Sequence, residues 1–111
     1  MSFEPLEYVR HIVAELDFLV ERGAAMTEDQ FLADPTLQRA FERSIEIIGE
    51  ATKQLPDDFR AAHPDVEWRA MAGMRDRLIH GYFSTDHHLV WDVVANKVPP
   101  LREKLRRLLR P

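Results

Sequence analysis

Apolar residues recur at three- and four-residue steps along the start of the chain, at Leu6, Val9, Ile12, Val13, Leu16, Leu19 and Val20. That is the period of a helix with one buried stripe. Gly23 directly after Arg22 predicts a left-handed stop with a cation in the last turn. Thr27 with Gln30 three residues later predicts a capping box that opens a short helix, and Asp34 before Pro35 predicts an N-cap with proline at the first helical position. A long helix starts there. It turns Leu37, Phe41, Ile45, Ile48 and Ala51 inward, with Ile47 widening the stripe, and fades near Leu55 before Pro56. Gly49 inside that pattern costs about 1 kcal/mol relative to alanine, which predicts a second helix packed closely against it.

In the second half the pattern is more broken. Residues from Pro56 to Pro64 read as a loop or short turn, after which Asp65 caps a third helix carrying Val66, Met71, Met74 and Leu78 and ended by Gly81. Ser84, Thr85 and Asp86 offer caps for a further helix with Leu89, Val90, Val93 and Val94, and Pro99–Pro100 separates it from a last one with Leu101, Leu105, Leu108 and Leu109. Nothing alternates at period two long enough to be a strand, and no segment repeats. The expected fold is all-α, a helical bundle of about five helices forming one domain over residues 1–111.

Composition narrows the function classes. With 45% hydrophobic and 31% charged residues, a chain of this length holds one core and is not disordered. It has no cysteine, which removes disulfides, thiolate metal sites and cysteine nucleophiles. The opening segment is acidic where a secretion signal would be basic, and no apolar run is long enough to span a membrane, so the cytoplasm is the expected compartment. The net charge of −4 hides an asymmetry: Arg102, Lys104, Arg106, Arg107 and Arg110 stand against Glu103 alone near the end, and the body is acidic. Twelve of the fifteen cations are arginines, which favours planar contacts to phosphate or carboxylate. An arginine-rich helix end is either a solvated face or a phosphate contact.

Candidate chemistry concentrates in one place. There is no glycine-rich phosphate cradle. His87 and His88 point about 100° apart on a helix and lack further ligands at metal-binding spacing, so neither metal nor cofactor is expected. His11 and His63 are isolated, and Trp68 and Trp91 read as core or interface anchors. The stretch Arg75-Asp76-Arg77-Leu78-Ile79-His80-Gly81-Tyr82 instead gathers two guanidiniums, a carboxylate, an imidazole and a phenol at a helix end. On one helix, Asp76 would share a face with His80 and orient its ring, and the helix terminus would favour the imidazolium. Arg75 and His80, five residues apart, diverge by about 140° on a straight helix. For both to act on one phosphate, either the helix unwinds or two copies face each other across a twofold axis. A base, an acid and cations around a phosphodiester suit attack by a ribose 2′-OH on phosphorus.

These residues resemble the motif of HepT-like toxins of the HEPN superfamily, in which an arginine and an adjacent polar residue precede a histidine and a tyrosine: here Arg75, Asp76, His80 and Tyr82. The block from Arg43 through Glu46 to Ala51 looks like the family's long-helix signature, and Trp91 through Pro100 like its next helix, so the likeness spans nearly the whole chain. The resemblance implies a homodimeric, metal-independent RNA endonuclease with Arg75 and His80 of both chains in one interfacial cleft; on this reading Arg77, beside them, assists with RNA. It further implies the toxin of a type VII-like toxin–antitoxin system, silenced when an MntA-like minimal nucleotidyltransferase antitoxin adds AMP to Tyr82. The competing reading is a non-catalytic helical subunit that only docks a nucleotidyltransferase.

Overall fold

The computed structural model describes residues 4–80 and 84–111, with His80 described by its backbone alone. Tyr82 and Gly81 lie outside the described residues. The chain is an all-α bundle built on an antiparallel framework of three long elements. Helix α1 (Pro5–Ala24) and helix α3 (Pro35–Lys53) pack along their lengths, and the C-terminal helix α8 (Val98–Leu108) lies against α1. Their stripes meet in the centre: Ile12, Leu16 and Leu19 from α1, Phe41, Ile45 and Ile48 from α3, and Leu105 from α8 are fully buried. Helix α2 (Glu28–Leu32) carries Phe31 into the same core, stacked on Phe41 at 4.9 Å and tilted against Trp91 at 5.6 Å.

Both caps expected early in the chain form. Thr27 and Gln30 exchange the two bonds of a capping box, and the Asp34 carboxylate accepts from the Leu37 amide at 3.1 Å. Asp86 likewise accepts from Leu89 at 3.0 Å to open helix α7 (His87–Asp92). Gly49 is buried where α3 meets helix α5 (Trp68–Ala72); a Cβ there would stand 3.4 Å from the Ala72 carbonyl oxygen, so its place in the helix reflects close packing.

Four expectations need correction. Gly23 is not a left-handed stop: α1 runs through it to Ala24, and an added Cβ would come within 2.9 Å of Val94 Cγ1. Glycine is there because another element approaches. The stretch after Pro56 holds helix α4 (Asp57–Ala62). Two acidic residues favour its first turn, but none of its residues is buried, so there was no apolar period to read. The third helix is two helices, α5 and α6 (Met74–Leu78), divided at Gly73, and Asp65 caps neither. Finally, Pro99 and Pro100 do not separate two helices. A wide π turn over Val93–Lys97 joins α7 to α8 with helical backbone on both sides. Prolines lack the amide hydrogens that a regular helix would use here, and the wider turn relieves the clash of their rings with preceding carbonyls.

Among the described residues, no helix is long and apolar enough to cross a membrane. The basic end is partly engaged internally: Asp17 on α1 accepts from Arg106 at 2.7 Å and stands 3.6 Å from Arg102, while Arg110 reaches Glu103 at 3.1 Å. The two Asp17 pairs tie α8 to α1, and together with the Arg110 pair they engage three of the arginines that could have met phosphate.

Candidate active site

Helix α6 is one and a half turns long. Met74 and Leu78 point into the core and fix its roll, which leaves Arg75, Asp76 and Arg77 toward the surface. The chain then leaves the helix at Ile79, which is buried and extended at φ −120° and ψ 116°. Ile79 and His80 (β1) pair antiparallel with Ser84 and Thr85 (β2), with His80 opposite Ser84. The Leu78 carbonyl accepts from the Asp86 amide at 2.9 Å. A tertiary partner therefore takes the place of another helical turn. Two-residue strands are too short to give a sequence period, which is why none was anticipated.

This corrects the expected relation of Asp76 and His80. They do not share a helical face, because His80 is no longer helical, and the proposed effect of a helix terminus on its protonation loses its basis. Asp76 instead lies 3.7 Å from Arg75 Nη1. Of the two ways to bring Arg75 and His80 together, unwinding of the helix is present in the chain, and it occurs two residues before Gly81. The His80 side chain lies outside the described residues, as does Tyr82, the expected site of modification.

Arg75 has a partner that the spacing argument missed. Its Nε stands 3.6 Å from Glu46 Oε2 on α3, with the two side chains 43% and 37% exposed. Glu46 belongs to the long-helix block already singled out, but its position beside Arg75 depends on how α3 crosses α6, which no local spacing encodes. Between Glu46 and Asp76 the guanidinium is braced at two atoms and remains accessible. Arg77 turns the other way and donates to the Ala70 carbonyl at 3.2 Å.

Trp68, His63 and His87 take part in packing. Trp68 is buried and its indole N–H donates to the His63 carbonyl at 3.0 Å, and His63 itself lies against Phe59 at 4.8 Å. His87 packs edge-on to Phe31 at 6.4 Å. Among the described residues, no group of three or more metal-ligating side chains converges.

Comparison with known proteins finds likeness over nearly the full length. The family described as Ribonuclease HepT-like matches residues 7–108. A protein of Caldanaerobacter subterraneus subsp. tengcongensis, provisionally named an RNase, is 43% identical over 106 residues, covering 96% of this chain and 95% of its own. A probable ribonuclease HepT of Thermococcus cleftensis is 39% identical over 102 residues, covering 92% and 93%. No solved structure matches. The family match runs from α1 to α8, and with these relatives it shows that the chain belongs to the HepT-like ribonuclease family.

Proposed function

We propose that this chain is a metal-independent RNA endonuclease, acting as a homodimeric toxin in the cytoplasm as one HEPN-type domain over residues 1–111. The observation that carries the reading is the end of α6 at Leu78: it sets a braced, accessible Arg75 five residues before a histidine whose backbone has left the helix. In the proposed reaction a ribose 2′-OH attacks the adjacent phosphorus and the 5′-oxygen leaves, giving a 2′,3′-cyclic phosphate. One imidazole takes the 2′-OH proton and another protonates the leaving oxygen, each worth roughly 10²–10⁴-fold. A twofold axis would supply both histidines. Arg75 stabilises the charge that builds on the phosphate, and Asp76 and Glu46 hold Arg75.

Control falls to Tyr82. Its phenol oxygen would attack the α-phosphorus of ATP on an MntA-like nucleotidyltransferase, losing its proton as pyrophosphate departs. The AMP adduct adds bulk and negative charge where RNA must bind.

The test is RNA cleavage in chelator by wild type, His80→Ala and Arg75→Ala, with particle mass followed by light scattering. Both variants should lose cleavage and keep the wild-type mass, and either one cutting RNA at the wild-type rate would remove that residue's role. Cleavage should also disappear as Tyr82 gains the mass of AMP. A wild-type protein that cuts no RNA and leaves cells growing on induction would make the chain a docking subunit.

A further inference from the structure

Arg77 follows Arg75 by two residues, a rotation of about 200° on a helix, and so it faces a different surface. There, α5 and α6 meet the rod formed by α7, the π turn and α8, leaving a groove of about 420 Å³. That volume is within the usual range for a site holding one small ligand. The floor is apolar, with Met71, Met74 and Val98 almost fully buried and Leu89 standing 40% exposed at its lip.

The rim is distinctive. Arg77, Lys97 and Lys104 all line it, and none has a carboxylate partner among the described residues. Arg77 and Lys104 are tethered instead by the backbone carbonyls of Ala70 and Asp65, at 3.2 and 3.0 Å. A carbonyl fixes a cation in place without cancelling its charge, in contrast to Arg102, Arg106 and Arg110, which are paired with carboxylates. Against these three stand Glu67 and Asp92, the latter already accepting from Asn96 at 2.8 Å. An apolar groove edged by uncancelled positive charge matches a nucleotide: a base over aliphatic carbon, and a phosphate at the rim.

We infer that this groove is a nucleotide subsite for the RNA substrate, taking a nucleotide that flanks the scissile phosphate, with Arg77, Lys97 and Lys104 on its phosphate. The inference rests on the ribonuclease reading above, since the strand would pass around α6 from Arg75 to Arg77. It makes Leu89, Val93 and Pro100, the more accessible apolar lining residues, the base platform above the buried Met71 and Met74.

The test uses the full chain and two RNA probes of one sequence: a single-stranded oligonucleotide, and its 2′-O-methyl form, which lacks the attacking hydroxyl and stays intact. Lys97→Glu reverses an exposed rim charge, and Ala70→Trp fills the groove. Each should weaken binding of the 2′-O-methyl probe by roughly tenfold, the loss of one phosphate or stacking contact. Each should also raise KM for cleavage of the unmodified probe by about the same factor, at unchanged melting temperature. If Ala70→Trp fails to fold, Lys97→Glu alone decides. Wild-type affinity in the folded variants overturns the subsite. So does a change in particle mass with RNA affinity intact, which would make the groove a protein-docking surface. A wild-type protein that neither binds nor cuts RNA would bring down the ribonuclease reading as well, whereas a cutting wild type with normally binding variants removes the subsite alone.

Discussion

Helices α1 and α3 and the segment from α4 to the β1–β2 pair are built on different principles. The first two run 20 and 19 residues, and each buries a continuous stripe; α3 opens on a side-chain cap. The segment that carries Arg75 is made of helices of 6, 5 and 5 residues, none with a side-chain N-cap bond. Helices this short are not stable alone. Their course is set by contacts beyond each helix: Gly49 of α3 against the Ala72 carbonyl, the Trp68 indole on the His63 carbonyl, and the Asp86 amide on the Leu78 carbonyl. The scaffold is locally encoded and the site is held by its neighbours. That arrangement allows the site to carry charged, poorly packed residues without loss of the fold.

The largest perturbation belongs to the scaffold. Phe41 is fully buried between Phe31 and Phe18, with ring centres 4.9 and 5.9 Å away. Phe41→Ala should cost about 3–5 kcal/mol through lost transfer energy and the cavity left behind. Urea unfolding followed by circular dichroism reads this directly, and a loss under about 1 kcal/mol would mean the stacked rings do not anchor the core.

The site should behave in the opposite way, with activity moving and stability staying. Glu46→Gln removes one brace of Arg75. Because both side chains are substantially exposed, the pair contributes no more than about 1 kcal/mol to stability. The kcat for RNA cleavage should nevertheless fall roughly tenfold, about 1.4 kcal/mol of transition-state stabilisation, as the guanidinium loses its orientation. In an Arg75→Lys background the same change should have a smaller effect, since a lysine has no planar fork for that brace to orient. A full tenfold loss there would assign Glu46 a role independent of Arg75.

The same division governs what the sequence disclosed. The α1 and α3 stripes, the Thr27 capping box, the Asp34 cap and the packing role of Gly49 follow from spacing and residue type, because those signals act within one or two turns. The break at Gly73, the early exit at Ile79 and the Glu46–Arg75 pair could not be read there, because each depends on contact between segments distant along the chain. Helix α4 buries no residue, and so it had no stripe to show. For the site, the residue types at Arg75, Asp76 and His80 are visible, but the shared face expected for Asp76 and His80 assumes a helix that in fact ends sooner.

A smaller effect tests the local encoding itself. Asp34→Ala removes the acceptor for the Leu37 amide at the start of α3 and should cost about 1 kcal/mol by urea unfolding. A neutral result would mean that α3 is held by its tertiary contacts, as the site helices are, and the contrast between the two regions would weaken.

The smallest change tests the site segment from within. Gly73 joins α5 to α6 at φ −95° and ψ 2°, a conformation open to other residues, and a Cβ there would meet only the Arg69 carbonyl oxygen, at an ordinary 3.5 Å. Gly73→Ala should therefore stabilise the protein by about 0.4–1 kcal/mol, chiefly by restricting the unfolded chain. The same substitution at Gly23 meets Val94 Cγ1 at 2.9 Å and should lose that gain to overpacking. Opposite signs in the two urea midpoints would show that the bend between α5 and α6 is imposed by surrounding contacts and not by glycine. If Gly73→Ala instead destabilises, the bend needs glycine's freedom, and the site segment encodes more of its own shape than its short, uncapped helices suggest.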